Sequence, residues 1–146
     1  MRKNNNVEIN IKSFLEKRFD LCQDRIYLCS PATFLNILLL EKKRLIRNNS
    51  ELFLLNFYFT SENENIMYKF KNKIQNILNK NLRNSDVITW ASFNHLIILF
   101  RNGEIEKVKS IRDRIDSKIK ESDINNYLIY TTKIKVITKQ HNGEYN

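Results

Sequence analysis

Residues 82–100, LRNSDVITWASFNHLIILF, decide the fold. Leu82 closes a helix-forming run, VITW (87–90) is β-branched and aromatic, and LIILF (96–100) is apolar throughout. Only a tight connection separates the last two, so they are expected to pair as a β-hairpin. Arg83 and Asp86 stand at the head of the stretch as R-x-x-D. The connection itself, Ser92-Phe93-Asn94-His95-Leu96, holds no carboxylate.

Upstream, Ser30-Pro31 offers a hydroxyl N-cap followed by proline at the first helical position. Phe34, Ile37, Leu38, Glu41 and Leu45 then recur at helical spacing, which predicts a helix over 31–48, ended by Asn48-Asn49-Ser50. LFLLNFYF (52–59) is apolar on both faces, as a central strand covered on both sides requires. Ile66, Phe70, Ile74, Ile77 and Leu78 mark a second helix over 63–82. Beyond the hairpin, Asn102-Gly103 breaks the chain, and Ile105, Val108, Ile111, Ile115 and Ile119 outline a third helix ending near Ser122. Residues 127–137 are β-rich, with alternation clearest at Ile134 and Val136.

The order is a helix followed by β-α-β-β-α-β. It predicts an α+β fold, a ferredoxin-like βαββαβ core with a preceding helix. Right-handed crossovers place the two later helices on one face of an antiparallel sheet. Residues 1–25 form a lead-in whose Val7, Ile9, Ile11, Phe14, Leu15 and Phe19 suit a strand, a helix or a packed segment alike. The domain proper spans 26–137, and the tail 138–146 is expected to fray.

Several features of 26–137 resemble the GGDEF (diguanylate cyclase) family, whose own core is of this nucleotide-cyclase type. R-x-x-D precedes a hairpin at the family's distance. Phe34, Glu41, Arg44 and Arg47 resemble its first helix, and Ile111-Arg112-Asp113-Arg114-Ile115 its third. Order and spacing carry the resemblance, because no single match is specific. Such an enzyme joins two GTP molecules and needs carboxylates from its first strand and its hairpin turn to hold divalent metal.

This chain departs from that pattern in four places. Asn56 and Tyr58 stand where the family has Asp-x-Asp, and Asn94 and His95 replace the acidic pair of the turn. Ser92 and Phe93 replace the two glycines that admit phosphate, and Leu96 ends the turn. Thr60-Ser61-Glu62-Asn63-Glu64 runs straight into the helix where the family reads guanine, so Glu62 and Glu64 are expected as first-turn carboxylates. The expectation is a catalytically inactive domain with no metal and no cofactor.

In the family, R-x-x-D is the inhibitory site for the product, cyclic di-GMP. The resemblance thus implies ligand binding by Arg83 and Asp86, with Arg112 or Arg114 as a further arginine. The plainer alternative is that Arg83 favours a helix C-terminus and Asp86 accepts a local backbone hydrogen bond. His95 has no nucleophile placed beside it by any motif and reads as a packed hairpin residue. Trp90 and Phe93 suit cross-strand packing better than base stacking.

Composition narrows the remaining classes. The chain has 146 residues, with 25 Lys and Arg against 16 Asp and Glu, a net charge of +9. That excess attracts anions in general, yet scattered cations in an Asn-, Lys- and Ile-rich chain specify no site. An RRM-like nucleic-acid-binding domain is an alternative, but the glycine-aromatic signature is missing, so nucleic acid is not expected as a partner. Two cysteines separated by six residues match no zinc or redox motif. No apolar run approaches the roughly 20 residues needed to span a bilayer, and the N-terminus lacks the apolar core of a signal peptide. A bacterial cytoplasmic signalling domain results, without membrane insertion. With little ahead of the domain after Met1, its input is expected from a protein partner or a second copy.

Overall fold

The computed structural model describes residues 27–48, 50–101, 103–138 and 142–145. The lead-in, residues 1–25, lies outside them. In chain order the elements are β1 (Tyr27–Leu28), α1 (Pro31–Asn48), β2 (Leu52–Thr60), α2 (Glu64–Asn81), β3 (Val87–Ser92), β4 (His95–Phe100), α3 (Ile105–Glu121), a 3-10 turn (Asp123–Asn126), β5 (Ile129–Ile137) and β6 (Asn142–Tyr145). They form one six-stranded sheet in the order β1-β3-β4-β2-β5-β6. All pairings are antiparallel except that of β1 with β3.

Capping fixes where the helices begin. Ser30 Oγ accepts from the Thr33 amide at 3.2 Å at the head of α1. Asn63 Oδ1 accepts from the Ile66 amide at 3.1 Å at the head of α2. Each satisfies a backbone donor that the first helical turn leaves open.

Strand β2 is the spine, paired with β4 on one side and β5 on the other. Successive side chains leave opposite faces of a strand. Phe53, Leu55, Phe57 and Phe59 enter the larger core with Phe70, Ile74 and Leu78 of α2 and Val108, Ile111, Ile115 and Ile119 of α3. Leu52 and Leu54 enter a smaller core with Phe34 and Leu45 of α1, Val87, Leu99 and Ile137. The two later helices thus share one face, as right-handed crossovers require, and among the described residues α1 covers part of the other.

The structure corrects the sequence reading at the sheet's two edges. Strand β1, of two residues, was not foreseen. The tail expected to fray supplies β6, which pairs with β5 from Ile134 opposite Tyr145 to Ile137 opposite Asn142. An edge strand leaves a row of unpaired backbone groups, and a short segment can occupy it without any apolar alternation. Strand β3 also runs on to Ser92, and the 3-10 turn delays β5 to Ile129.

Candidate functional site

Two corners of the sheet hold most of the residues singled out by sequence. The first is the hairpin end of β2, on the face beyond α1. Asn56 and Tyr58 leave this face, and Tyr58 lies opposite His95 in the register of β2 and β4. The buried Asn56 side chain is turned by two backbone carbonyls, its Nδ2 lying 3.4 Å from Lys133 O and 3.5 Å from Leu54 O. Its oxygen therefore faces His95 Nε2 at 2.9 Å. A carboxamide oxygen can only accept, so Nε2 carries the proton. The Tyr58 ring stacks on the imidazole, centroid to centroid 4.4 Å at 18°. Burial lowers the His95 pKa and so favours the neutral ring.

Backbone and hydroxyl hydrogen bonds hold the turn. Ser92 Oγ donates to Asn94 Oδ1 at 2.8 Å, and the Phe59 amide donates to Asn94 O at 2.9 Å. Phe93 projects exposed from the turn, while Leu96 is fully buried in the larger core. Trp90 packs against Phe59, with Lys71 Nζ 4.6 Å from its ring centroid. Chemically this corner offers a neutral imidazole locked to a carboxamide, and an amide paired in this way supplies no nucleophile and no hard anionic oxygen. Among the described residues no group of three His, Cys, Asp or Glu side chains could hold a metal ion. Glu64 opens α2 in its first turn.

The second corner is the R-x-x-D turn between α2 and β3. Asp86 Oδ2 accepts from the Arg83 amide at 2.8 Å, and the Asp86 amide donates to Arg83 O at 2.9 Å. This is the local hydrogen bond of the plainer sequence reading. Asp86 is 1% exposed, and its buried Oδ1 has no hydrogen-bond partner among the described residues. Burial raises its pKa, against the opposing pull of the Arg83 amide and the Arg83 and Arg101 guanidiniums.

Arg83 lines a cleft of about 330 Å³ together with Glu41, Arg44, Ser50, Ser85 and Arg101. Glu41 Oε1 pairs with Arg44 at 3.0 Å and with Arg101 at 3.7 Å. Arg112 and Arg114 are not here. They line a separate, shallow depression along α3 with Asn81 and Asp113, and Arg112 Nε lies 3.2 Å from Asp113 Oδ1. The structure joins Arg83 to Asp86, and adds Arg101 and Glu41, which the sequence reading did not place in the site. A signal for Glu41 was present, since it sits in the apolar row of α1, and a buried carboxylate demands a cation.

The chain is similar in structure to several solved proteins. A diguanylate cyclase protein from Thermotoga maritima matches with a TM-score of 0.64 at 20% identity, over 77% of this chain and 82% of that one. The FimX GGDEF domain from Pseudomonas aeruginosa matches with a TM-score of 0.66 at 8% identity, over 78% of each chain. The diguanylate cyclase SiaD from Pseudomonas aeruginosa, solved in complex with its activator SiaC, matches with a TM-score of 0.56 at 13% identity, over 99% of this chain and 61% of that one. No family model matches the chain, and no curated protein matches its sequence. The fold is GGDEF-like, an α+β nucleotide-cyclase core, as the order of elements around the hairpin led one to expect. No helix among the described residues is long and apolar enough to cross a membrane.

Proposed function

We propose that this chain is a catalytically inactive GGDEF-like domain of bacterial cytoplasmic signalling, acting as a regulatory or interaction module through a protein partner or a second copy of itself. One observation carries the reading: Asn56, His95 and Tyr58 fill the hairpin end of β2 with a hydrogen bond and a ring stack. A cyclase of this fold requires acidic oxygens at that place to grip metal against phosphate. A neutral imidazole bonded to a carboxamide has no such affinity. Docking to a protein is supported by the SiaD structure, solved with its activator bound.

Incubation with GTP and Mg²⁺ or Mn²⁺ tests it, with the product separated by chromatography. No cyclic di-GMP is expected, and its accumulation overturns the reading.

A second reading is a cyclic di-GMP receptor at Arg83 and Asp86, with Arg112 or Arg114 contributing. It is favoured by the Arg83 guanidinium, which forms no hydrogen bond or ion pair among the described residues. Calorimetry with the dinucleotide decides it. Heat that Arg83→Ala abolishes supports this reading, and equal binding by that variant removes it.

A further inference from the structure

We propose that the cleft between α1, the R-x-x-D turn and the end of β4 is a binding site for one protonated phosphate group, inorganic or a small phosphomonoester, held by Arg44, Arg83 and Arg101 with Glu41 accepting the phosphate O–H. This goes beyond the regulatory reading and does not depend on cyclic di-GMP binding.

Three chain segments bring their cations to one place. Arg44 comes from α1, Arg83 from the turn after α2, and Arg101 from the residue following β4, and all three line the same cleft of about 330 Å³. Like charges are not gathered in this way without opposing charge. Two carboxylates supply part of it, Glu41 by direct pairing and Asp86 from beneath the turn. Three guanidiniums against two carboxylates leave one positive charge uncompensated.

Donors are left open as well. Among the described residues the buried Arg101 Nε has no hydrogen-bond partner, and the Arg83 guanidinium forms no hydrogen bond or ion pair. A guanidinium presents its N–H groups as a planar fork that matches two oxygens of a tetrahedral oxyanion. Ser50 and Ser85 line the same space, and their hydroxyls can bring two more donors. A buried donor left unpaired costs stability, and an anion seated here removes that cost.

Glu41 makes the site selective. It is 8% exposed and lines the cleft, and Oε1 alone carries both of its arginine pairs. Oε2 accepts no hydrogen bond among the described residues. An acceptor-only oxygen inside an anion site repels a fully ionised oxyanion and welcomes one that still carries a proton. Phosphate and phosphomonoesters retain an O–H near neutral pH, because their second pKa is about 6 and the monoprotonated form is well populated below it. Sulfate has none, and neither does a phosphodiester such as cyclic di-GMP.

The test is calorimetric titration of the full chain at pH 6 with inorganic phosphate, methyl phosphate, sulfate and cyclic di-GMP at matched ionic strength. Saturable binding of inorganic phosphate or methyl phosphate is expected, with sulfate at least about tenfold weaker, the usual cost of setting an unpaired acceptor against an acceptor. Equal affinity for the two phosphates means an esterified ligand is admitted, and binding of inorganic phosphate alone confines the site to the free ion. Arg83→Gln, at an exposed position, is expected to weaken phosphate without disturbing the fold. Glu41→Gln is expected to erase the preference over sulfate, since its amide can donate. Arg112→Gln is expected to leave phosphate binding unchanged. No saturable heat with either phosphate, sulfate binding as tightly, or full affinity in Arg83→Gln overturns the proposal. The regulatory reading is judged separately, by the GTP incubation, and the receptor reading by the dinucleotide titration.

Discussion

His95 Nε2 and Asn56 Oδ1 meet at 2.9 Å across the β4–β2 pairing, beneath the ring of Tyr58. The contact gives the protein a defined response to acid. Burial lowers the His95 pKa in the folded chain, so the unfolded chain takes up a proton first. Above the unfolded value, about 6.5, both states are neutral and nothing is lost. As pH falls through that value the native state loses stability relative to the unfolded chain. Urea melts of wild type and His95→Gln between pH 7.5 and 5 are expected to diverge, with wild type falling faster. Parallel curves would remove the neutral imidazole from the account.

Asp86 behaves in the opposite sense. Burial raises its pKa in the folded state, so its charge is a cost that builds from the unfolded value of about 3.9 upward and is complete above the folded value. Asp86→Asn keeps an oxygen to accept from the Arg83 amide and discards the charge. The variant is expected to be at least as stable as wild type at pH 7, with the advantage vanishing as pH falls below about 4, which denaturant titration at the two pH values measures. Lower stability at pH 7 would mean that attraction to Arg83 and Arg101 outweighs burial.

The central strand offers a test of the two-core description. Phe57 is 1% exposed and stands in the larger core between α2, α3 and β5. Phe57→Ala is expected to cost about 3–5 kcal/mol, the range for emptying a buried phenyl site. Leu40, exposed on α1, is a control, and Leu40→Gln is expected to stay within about 0.5 kcal/mol of wild type. Chemical denaturation of both variants checks this.

Periodicity and capping are local signals, and they mark only the longer elements of this chain. The eighteen residues of α1 begin at the proline and end at the asparagine expected, because a capping hydroxyl and an apolar row are both local signals. Strand β2 was legible from its doubly apolar faces. Strands β1 and β6, of two and four residues, are too short to show a period, and only backbone pairing with a neighbour defines them. At the R-x-x-D corner, the hydrogen bond between Asp86 and Arg83 is local and was one of the two readings open. The meeting of Glu41 with Arg101 joins a helix to a strand end far along the chain, and no spacing rule encodes it. Arg112 and Arg114 stand on the third helix, where the family resemblance implies a further arginine, yet they line a different surface from Arg83.

The pin between α3 and β5 yields a last expectation. Tyr130 Oη donates to Asp116 Oδ1, and Lys120 Nζ lies 2.9 Å from Asp116 Oδ2. The Tyr130 ring packs 5.9 Å from Phe57 and 5.6 Å from Phe59, centroid to centroid. Burial first, then the hydrogen bond to Asp116 and its charge, raise the Tyr130 pKa above the ordinary phenol value. The folded chain therefore holds its phenolic proton after the unfolded chain has released it, and stability falls as pH rises through about 10. Tyr130→Phe keeps the ring and removes the donor, so it is expected to cost about 1.5 kcal/mol at pH 7, as for a hydrogen bond to a charged acceptor. The variant is also expected to lose less stability than wild type between pH 9 and 11. Absorbance titration supplies an independent readout, with phenol ionisation extending to higher pH in wild type than in Tyr130→Phe. A wild-type ionisation curve that ends at the same pH as that of Tyr130→Phe would show that the pin does not hold the proton.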